Sequence, residues 1–375
     1  MKSKTVVLRL VALLAVAMLV ITACGAPAAT TAPTEAPVEK TKITLQLQWF
    51  VQSQFAGYYA AVAKGFYEDE GLEVTIKEGA VDIVPQQVLA SAQADFALAW
   101  VPKALGSREE GAKIVNIAQV FQRSGTLEVS WKDSGITKVE DWEGKKVGTW
   151  GFGNEKEVLA AIVKAGMDPT TDVTLVNQPF DMSLLLNREV DTAEAMTYNE
   201  YAQVLETINP ATGALYQPED LNVINFNDVG TAMLQDAVWA REDWLAEANN
   251  QETAVKFLRA SFKGWIYCRD NFDECVQIVL DAGPQLGKGH MTWQLNEINK
   301  LVWPSPTGIG VMDKALWDQT VQVATTQQVL KGVPDAGAYR TDLAQKAVDE
   351  LKAAGLDVTG ANFTAKTVEI TEGGK

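Results

Sequence analysis

Residues 43–76 read ITLQLQWFVQSQFAGYYAAVAKGFYEDEGLEVTI and predict a strand, a helix and a second strand in close succession. Residues 43–49 alternate apolar and polar side chains, which is typical of a half-buried strand. Residues 56–64 are apolar and helix-forming, and Gly65 follows as a suitable C-terminal cap. Residues 72–76 return to the strand pattern. The segment is therefore a βαβ unit, whose two strands are expected to pair in parallel.

The same alternation continues along the chain. Further strands are predicted at 96–100, 145–149, 173–176 and 192–197, and further helices at 85–92, from a cap at Asn154 to Gly166, at 182–187, 252–271, 272–282 and 314–330. Strand–helix alternation on this scale predicts an α/β fold with largely parallel sheets.

Aromatic residues recur where predicted strands end. Trp49, Trp100 and Trp150 close three strands, Phe152 follows the last of them, and Tyr58 and Tyr59 begin the first helix. In open α/β sheets, ligands bind beyond the carboxyl ends of the strands. Any one of these rings is equally consistent with core packing. Several rings at equivalent strand ends favour a site that holds a flat ligand.

Residues 1–23 have the features of a signal peptide. Lys2, Lys4 and Arg9 precede an apolar run over 10–21, which is too short to span a bilayer comfortably. The run ends in Ile-Thr-Ala-Cys-Gly at 21–25, which resembles the bacterial lipobox and implies a lipid on Cys24. An ordinary signal peptide with an incidental cysteine is the alternative. Residues 24–41 carry three prolines and hardly any large apolar side chain, which predicts a flexible tether.

Charge and cysteine usage limit the function classes. The chain carries 32 Lys and Arg against 48 Asp and Glu, a formal net charge of −16, which disfavours binding to nucleic acid. Cys268 and Cys275 are either bridged or free, and an exported protein favours the bridge. No metal site is expected, because His290 is the only histidine and a third thiolate is lacking after Cys24.

Catalytic signatures are missing from the sequence. There is no P-loop and no Gly-x-Ser-x-Gly elbow, and residues 151–153 lack the third glycine of a dinucleotide fingerprint. His290 follows Gly287-Lys288-Gly289, a setting typical of a surface loop. We therefore expect neither an enzyme nor a bound cofactor.

Several segments resemble, in order, the ABC-transporter solute-binding proteins related to thiamine-pyrimidine synthases. They are 47–49 (LQW), 57–67 (GYYAAVAKGFY), 70–74 (EGLEV), 93–96 (QADF), 141–148 (DWEGKKVG) and 198–201 (YNEY). The resemblance implies a two-lobed periplasmic-binding-protein fold of type II with a hinge. The first lobe is expected to hold residues 42–133 plus 232–375, and the second residues 134–231.

The resemblance, together with the aromatic residues at the ends of the predicted strands, indicates a set of ligand-binding residues. They are Trp49, Gln54, Tyr58, Tyr59, Trp100, Trp150, Phe152, Gly153, Asn154, Glu194, Tyr198 and Asn199. A solvated carboxylate at a helix end is the alternative interpretation of Glu194.

Family members bind the pyrimidine precursor of thiamine, riboflavin and other small molecules. Pyrimidine binders often carry Asn and His where this chain has Gln52-Ser53-Gln54, and eleven tryptophans favour a larger planar ring. Riboflavin is therefore the first expected ligand and the thiamine pyrimidine precursor the second. The implied partners are an ABC permease and its ATPase, with the protein lipid-anchored on the extracytoplasmic face of the cell membrane. There are two alternatives, the ligand-sensing subunit of a receptor and a pyrimidine-forming enzyme. The enzymes depend on a histidine in the pocket and on a cysteine-rich iron motif, and this chain has neither at matching positions.

Overall fold

The computed structural model describes residues 39–373, so the predicted signal peptide, Cys24 and most of the tether lie outside the described residues. Within 39–373, ten strands form two five-stranded sheets. The strands are β1 (Thr41–Gln46), β2 (Leu72–Lys77), β3 (Phe96–Trp100), β4 (Ile114–Gln119), β5 (Thr126–Trp131), β6 (Lys146–Thr149), β7 (Thr174–Asn177), β8 (Thr192–Met196), β9 (Leu221–Asn225) and β10 (Asp236–Arg241).

Helices cover the faces of both sheets. They are α1 (Ala56–Ala63), α2 (Phe66–Asp69), α3 (Pro85–Ala90), α4 (Val101–Glu109), α5 (Lys156–Lys164), α6 (Ser183–Leu186), α7 (Glu200–Leu205), α8 (Phe226–Val229), α9 (Glu242–Leu245), α10 (Ala248–Asp270), α11 (Phe272–Ala282), α12 (Lys288–Val302), α13 (Lys314–Thr326) and α14 (Asp342–Ala353). None of the helices in the described part of the chain is both long and apolar enough to cross a membrane.

Each sheet is parallel except for one strand. The first sheet has the order β2-β1-β3-β10-β4, in which β10 runs antiparallel to both of its neighbours. The second has the order β7-β6-β8-β5-β9, in which β5 runs antiparallel to β8 and β9. The predicted βαβ unit is present, since β1 and β2 pair in parallel on either side of α1. The predicted α/β fold with two lobes is confirmed.

The chain passes between the sheets twice, through residues 120–125 and 226–235. The predicted lobe boundary after residue 133 is too late, because β5 already pairs within the second sheet. The alternating sequence of β5 predicts a strand but does not indicate which of the two sheets the strand joins. The amide of Gln235 in the second crossing accepts from the Gly125 backbone N–H at 2.9 Å and donates to Thr126 Oγ1 at 2.6 Å. The two crossing segments are therefore tied to each other.

Glu157, on α5 of the second lobe, holds both crossing segments. Its carboxyl group accepts from the Met233 backbone N–H at 2.7 Å and from the Ser124 hydroxyl at 2.9 Å. Burial raises the pKa of Glu157 to about 7. A change in the protonation of Glu157 would therefore alter hydrogen bonds to both segments that connect the lobes.

A disulfide joins Cys268 near the end of α10 to Cys275 in α11, with 5.1 Å between their Cα atoms. Both cysteines are buried against Ala56 and Ala60 of α1. The bridge therefore fastens the turn between two helices that pack behind the βαβ unit.

Candidate functional site

A narrow cavity of about 20 Å³ lies between the two sheets, at the carboxyl ends of their parallel strands. Both lobes contribute to its wall because Trp49 follows β1, Trp100 ends β3, Trp150 follows β6 and Met196 ends β8. The lining residues are Gln48, Trp49, Gln52, Gln54, Trp100, Trp150, Asn154, Met196, Tyr198, Asn199 and Glu200. None of these eleven side chains is cationic.

Three tryptophans form the aromatic wall of the cavity. The ring of Trp150, from the second lobe, meets those of Trp49 and Trp100, from the first, edge to face at centroid distances of 6.1 and 6.4 Å. Edge-to-face packing leaves ring faces turned away from the partner ring. In the structure the indoles of Trp100 and Trp150 are buried, so a planar ligand could stack on rings of both lobes only after the lobes move apart.

Asp236, the first residue of β10, is a buried carboxylate that organises the floor of the cavity. It accepts hydrogen bonds from Trp100 Nε1 at 2.7 Å, from Gln48 Nε2 at 2.9 Å and from Gln54 Nε2 at 2.9 Å. Burial raises the pKa of Asp236 to about 7, although these three donors favour the charged form. Three lining side chains are thus held in place by one carboxylate.

A chain of side-chain amides continues from Gln54 to the second lobe. Gln52 Nε2 donates to Gln54 Oε1 at 2.6 Å, and Gln294 Nε2 of α12 donates to Gln52 Oε1 and to Asn199 Oδ1, each at 3.2 Å. Asn199 Nδ2 donates in turn to Glu200 Oε1 at 2.7 Å. Because carboxylates end this chain on both sides, the orientation of each amide is set by its neighbours.

His290 lies directly behind this chain. Its Nε2 is 2.8 Å from Asn199 Oδ1, and its Nδ1 is 2.8 Å from Glu206 Oε2. The prediction of a surface loop was wrong, because α12 begins at Lys288 and turns the buried imidazole toward the second lobe. Both ring nitrogens are occupied, so His290 supports Asn199 rather than facing the cavity.

The described fold and cavity can be compared with known proteins. The family model described as "NMT1/THI5 like" matches residues 52–275, which is more than half of the chain.

The chain belongs to the NMT1/THI5-like family.

Curated relatives of this family member include both binding proteins and enzymes. It is 27% identical over 346 residues to the riboflavin-binding protein RibY of Chloroflexus aurantiacus, covering 88% of this chain and 95% of the relative. It is 22% identical to the formylaminopyrimidine-binding protein of Halalkalibacterium halodurans, covering 64% of this chain and 69% of that one. It is 24% identical to a 4-amino-5-hydroxymethyl-2-methylpyrimidine phosphate synthase of Legionella pneumophila, covering 66% and 75%.

Among solved structures, the periplasmic nitrate-binding protein NrtA from Synechocystis PCC 6803 is similar to this NMT1/THI5-like protein with a TM-score of 0.60. The two are 16% identical, and the match covers 86% of this chain and 92% of that one. The fold is accordingly that of the periplasmic binding proteins, in agreement with the two sheets and two crossings.

Seven residues of the predicted set line the cavity. They are Trp49, Gln54, Trp100, Trp150, Asn154, Tyr198 and Asn199. Asn154 was predicted to cap a helix and does not, since α5 starts after Glu155. Its side-chain oxygen instead accepts from Lys103 Nζ of the first lobe at 3.0 Å, and burial lowers the pKa of Lys103 to about 8.

The other five predicted residues do not line the cavity. Tyr58 is buried against Trp265 of α10, and Tyr59 packs half-buried against the core of the first lobe. Phe152 is 52% exposed, and Gly153 lies beside the Lys103 side chain, where an added Cβ would come within 3.0 Å of Lys103 Cγ. Glu194 lies within the second sheet, where it accepts from the Thr149 hydroxyl and from the Trp150 backbone N–H.

Sequence reasoning missed four lining residues, Gln48, Gln52, Met196 and Glu200, and the supporting residues Asp236, Gln294 and His290. The proximity of Gln48 to Trp49 in the predicted first loop was a usable signal for Gln48. No sequence pattern marks Asp236, which meets Gln48 only through the pairing of β10 with β3.

Proposed function

We propose that this protein is the solute-binding component of an ABC importer and that its ligand is a planar heteroaromatic vitamin, with riboflavin as the first candidate. The observation that carries the proposal is the cavity itself, which has indoles from both lobes and no cationic lining side chain. Such a wall suits a flat and neutral ligand better than an inorganic anion. The similarity to a riboflavin-binding protein over 88% of the chain supports the same choice.

The thiamine pyrimidine precursor is the second candidate. The cavity has a volume of about 20 Å³, which is close to the space that one water molecule needs. Either ligand therefore requires the lobes to lie further apart than they do in the structure, so the cavity volume does not rank the two candidates.

Binding without catalysis is part of the proposal. A hydrolytic or synthetic site would need a nucleophile or a general base facing the ligand. Among the described residues that line the cavity there is no histidine or cysteine, and the sulfurs of Cys268 and Cys275 are bonded to each other. The carboxyl group of Glu200 does line the cavity, but its two oxygens accept hydrogen bonds from the Met196 backbone N–H and from Asn199 Nδ2.

Titration of both ligands against the purified protein tests the proposal. Riboflavin is expected to bind with micromolar affinity or better, about −8 kcal/mol. Stacking should quench flavin fluorescence and tryptophan emission together. The thiamine pyrimidine precursor is titrated in parallel to rank the two. If neither ligand binds more tightly than about millimolar, the vitamin assignment is wrong.

We further propose that a lipid on Cys24 holds the protein at the extracytoplasmic face of the membrane, beside the permease and ATPase that it would serve. The basis is the sequence around residues 21–25. Cys24→Ala is expected to move the protein from the membrane fraction to the soluble fraction and to abolish labelling with a fatty-acid analogue. A variant that is still labelled and still sediments with membranes would refute the anchor, and Cys268→Ala is the matched control that should stay membrane-bound.

A further inference from the structure

Two polar atoms of the cavity wall are buried without a partner. They are the carboxamide oxygen Oε1 of Gln48, from the first lobe, and the indole nitrogen Nε1 of Trp150, from the second. A buried polar group that lacks a hydrogen bond costs free energy. A ligand that supplied the missing partners would recover that cost.

The hydrogen-bonding role of each atom is fixed. Gln48 Nε2 donates to Asp236 Oδ1 at 2.9 Å, and Trp100 Nε1, which can only donate, shares that oxygen at 2.7 Å. Oδ1 already accepts from an indole N–H, so a proton held by Asp236 lies on Oδ2, and the Gln48 amide must turn its nitrogen to Oδ1 and its own oxygen away. Trp150 Nε1 is a donor by its chemistry. The wall therefore offers one acceptor and one donor, from opposite lobes.

The side chains around the cavity disfavour an anionic ligand edge. Glu200 lines the cavity, Asp236 lies directly behind Gln48, and no lining side chain is cationic. Lys103 Nζ is directed to Asn154 Oδ1. An anion would meet carboxyl groups here without a neutralising partner.

We propose that the ligand presents a neutral lactam-type edge, with an N–H donated to Gln48 Oε1 and an acceptor atom receiving Trp150 Nε1–H, and that Asp236 is the positioning residue that sets this specificity. The inference rests on the proposed function. The dioxopyrimidine ring of riboflavin has such an edge, because its N3–H is flanked by two carbonyl groups.

The test compares riboflavin with N3-methylriboflavin, which has lost that one donor. The wild-type protein should bind the methylated flavin at least about tenfold more weakly. In Gln48→Met, which keeps the length of the side chain and removes the acceptor, the ratio of the two affinities should fall below about threefold. Gln277→Met, an exposed glutamine on α11, is the control and should keep the wild-type ratio.

Asp236→Asn tests the positioning role of Asp236. It also provides a second test of the inference if Gln48→Met does not fold. The new amide can donate as well as accept, so the Gln48 amide is free to rotate. The ratio of the two flavin affinities should therefore again fall below about threefold. If Asp236 had only a structural role, its replacement would weaken the binding of both flavins in proportion and leave the ratio of the two affinities unchanged. Equal binding of both flavins by the wild type, or an unchanged ratio in both variants, overturns the inference alone. Binding of neither flavin by the wild type overturns the proposed ligand, and this inference with it.

Discussion

Raising the pH from 5 to 8 is expected to lower the free energy of unfolding, by up to about 1.4 kcal/mol per pH unit for each buried carboxyl group that is still protonated in the folded protein. Five buried carboxyl groups have raised pKa values in the folded protein. Burial raises the pKa to about 7 in Glu157, Glu200 and Asp236, and well above the usual value in Glu128 and Glu194. Glu128 and Glu194 also lie opposite each other on β5 and β8, so the charge of either one opposes ionisation of the other.

The sign follows from where the protons are held. In the unfolded chain these groups ionise near pH 4. The folded protein keeps three of them protonated up to about pH 7, and burial also holds Glu128 and Glu194 protonated well above the pH at which a free glutamate ionises. Between these limits the folded state binds more protons, so stability falls as the pH rises, by about 1.4 kcal/mol per pH unit for each such group. The stabilisation is complete below about pH 4 and is lost progressively above it.

Urea unfolding at pH 5, 6, 7 and 8 at constant ionic strength measures this slope. Glu128→Gln keeps the shape of the side chain and removes one group whose pKa is raised in the folded protein, so its slope should be shallower than that of the wild type. Glu219→Gln, at an exposed position, is the matched control and should reproduce the wild-type slope. A free energy of unfolding that is constant or increases between pH 5 and 8 would contradict the assignment of these groups as protonated.

Replacing Trp150 by alanine is expected to weaken riboflavin binding by about 1–3 kcal/mol. The indole is only 3% exposed and contacts both Trp49 and Trp100 across the lobes. Its removal deletes one stacking surface and the donor Nε1 at once. The folded state should survive, because each lobe keeps its own sheet and core.

Phe152→Ala is the control for this loss. Phe152 comes from the same loop but is 52% exposed and outside the cavity wall, so its removal should leave the riboflavin affinity within about 0.5 kcal/mol of wild type. Flavin fluorescence titration of both variants, with a melting curve for each, separates affinity from stability. Equal losses in the two variants would place the ligand at the outer loop and not in the cavity.

The fold was predictable because its signals are local. Each local pattern predicts the conformation of its own residues. This holds for the alternation over 43–49, for the helix-forming run over 56–64 and for Gly65, which has a φ of 71°. β3 and α11 have the predicted bounds for the same reason. The tryptophans at strand ends were also found locally, because a residue at the end of a parallel strand is at the ligand-binding edge of the sheet.

The polar half of the site was not predictable in this way. Asp236 is 188 residues from Gln48 along the chain, and no spacing rule connects them. Phe152 was included because it follows a strand, but residues 151–153 all have positive φ, and the loop leaves the ring exposed. Glu194 was included as a ligand acceptor, yet its position within β8 turns the carboxyl group to Thr149 and the Trp150 backbone. Which face of an element points to the cavity depends on tertiary packing, and a single sequence does not report that.

His290 has a practical consequence for solution studies. It is the only histidine in the sequence, and its imidazole bonds Asn199 and Glu206 of the second lobe from a helix that packs on the first. Separation of the lobes would break both bonds and expose the ring to water. A single imidazole resonance in an NMR spectrum can therefore report the open and closed populations of the native protein, without any introduced label.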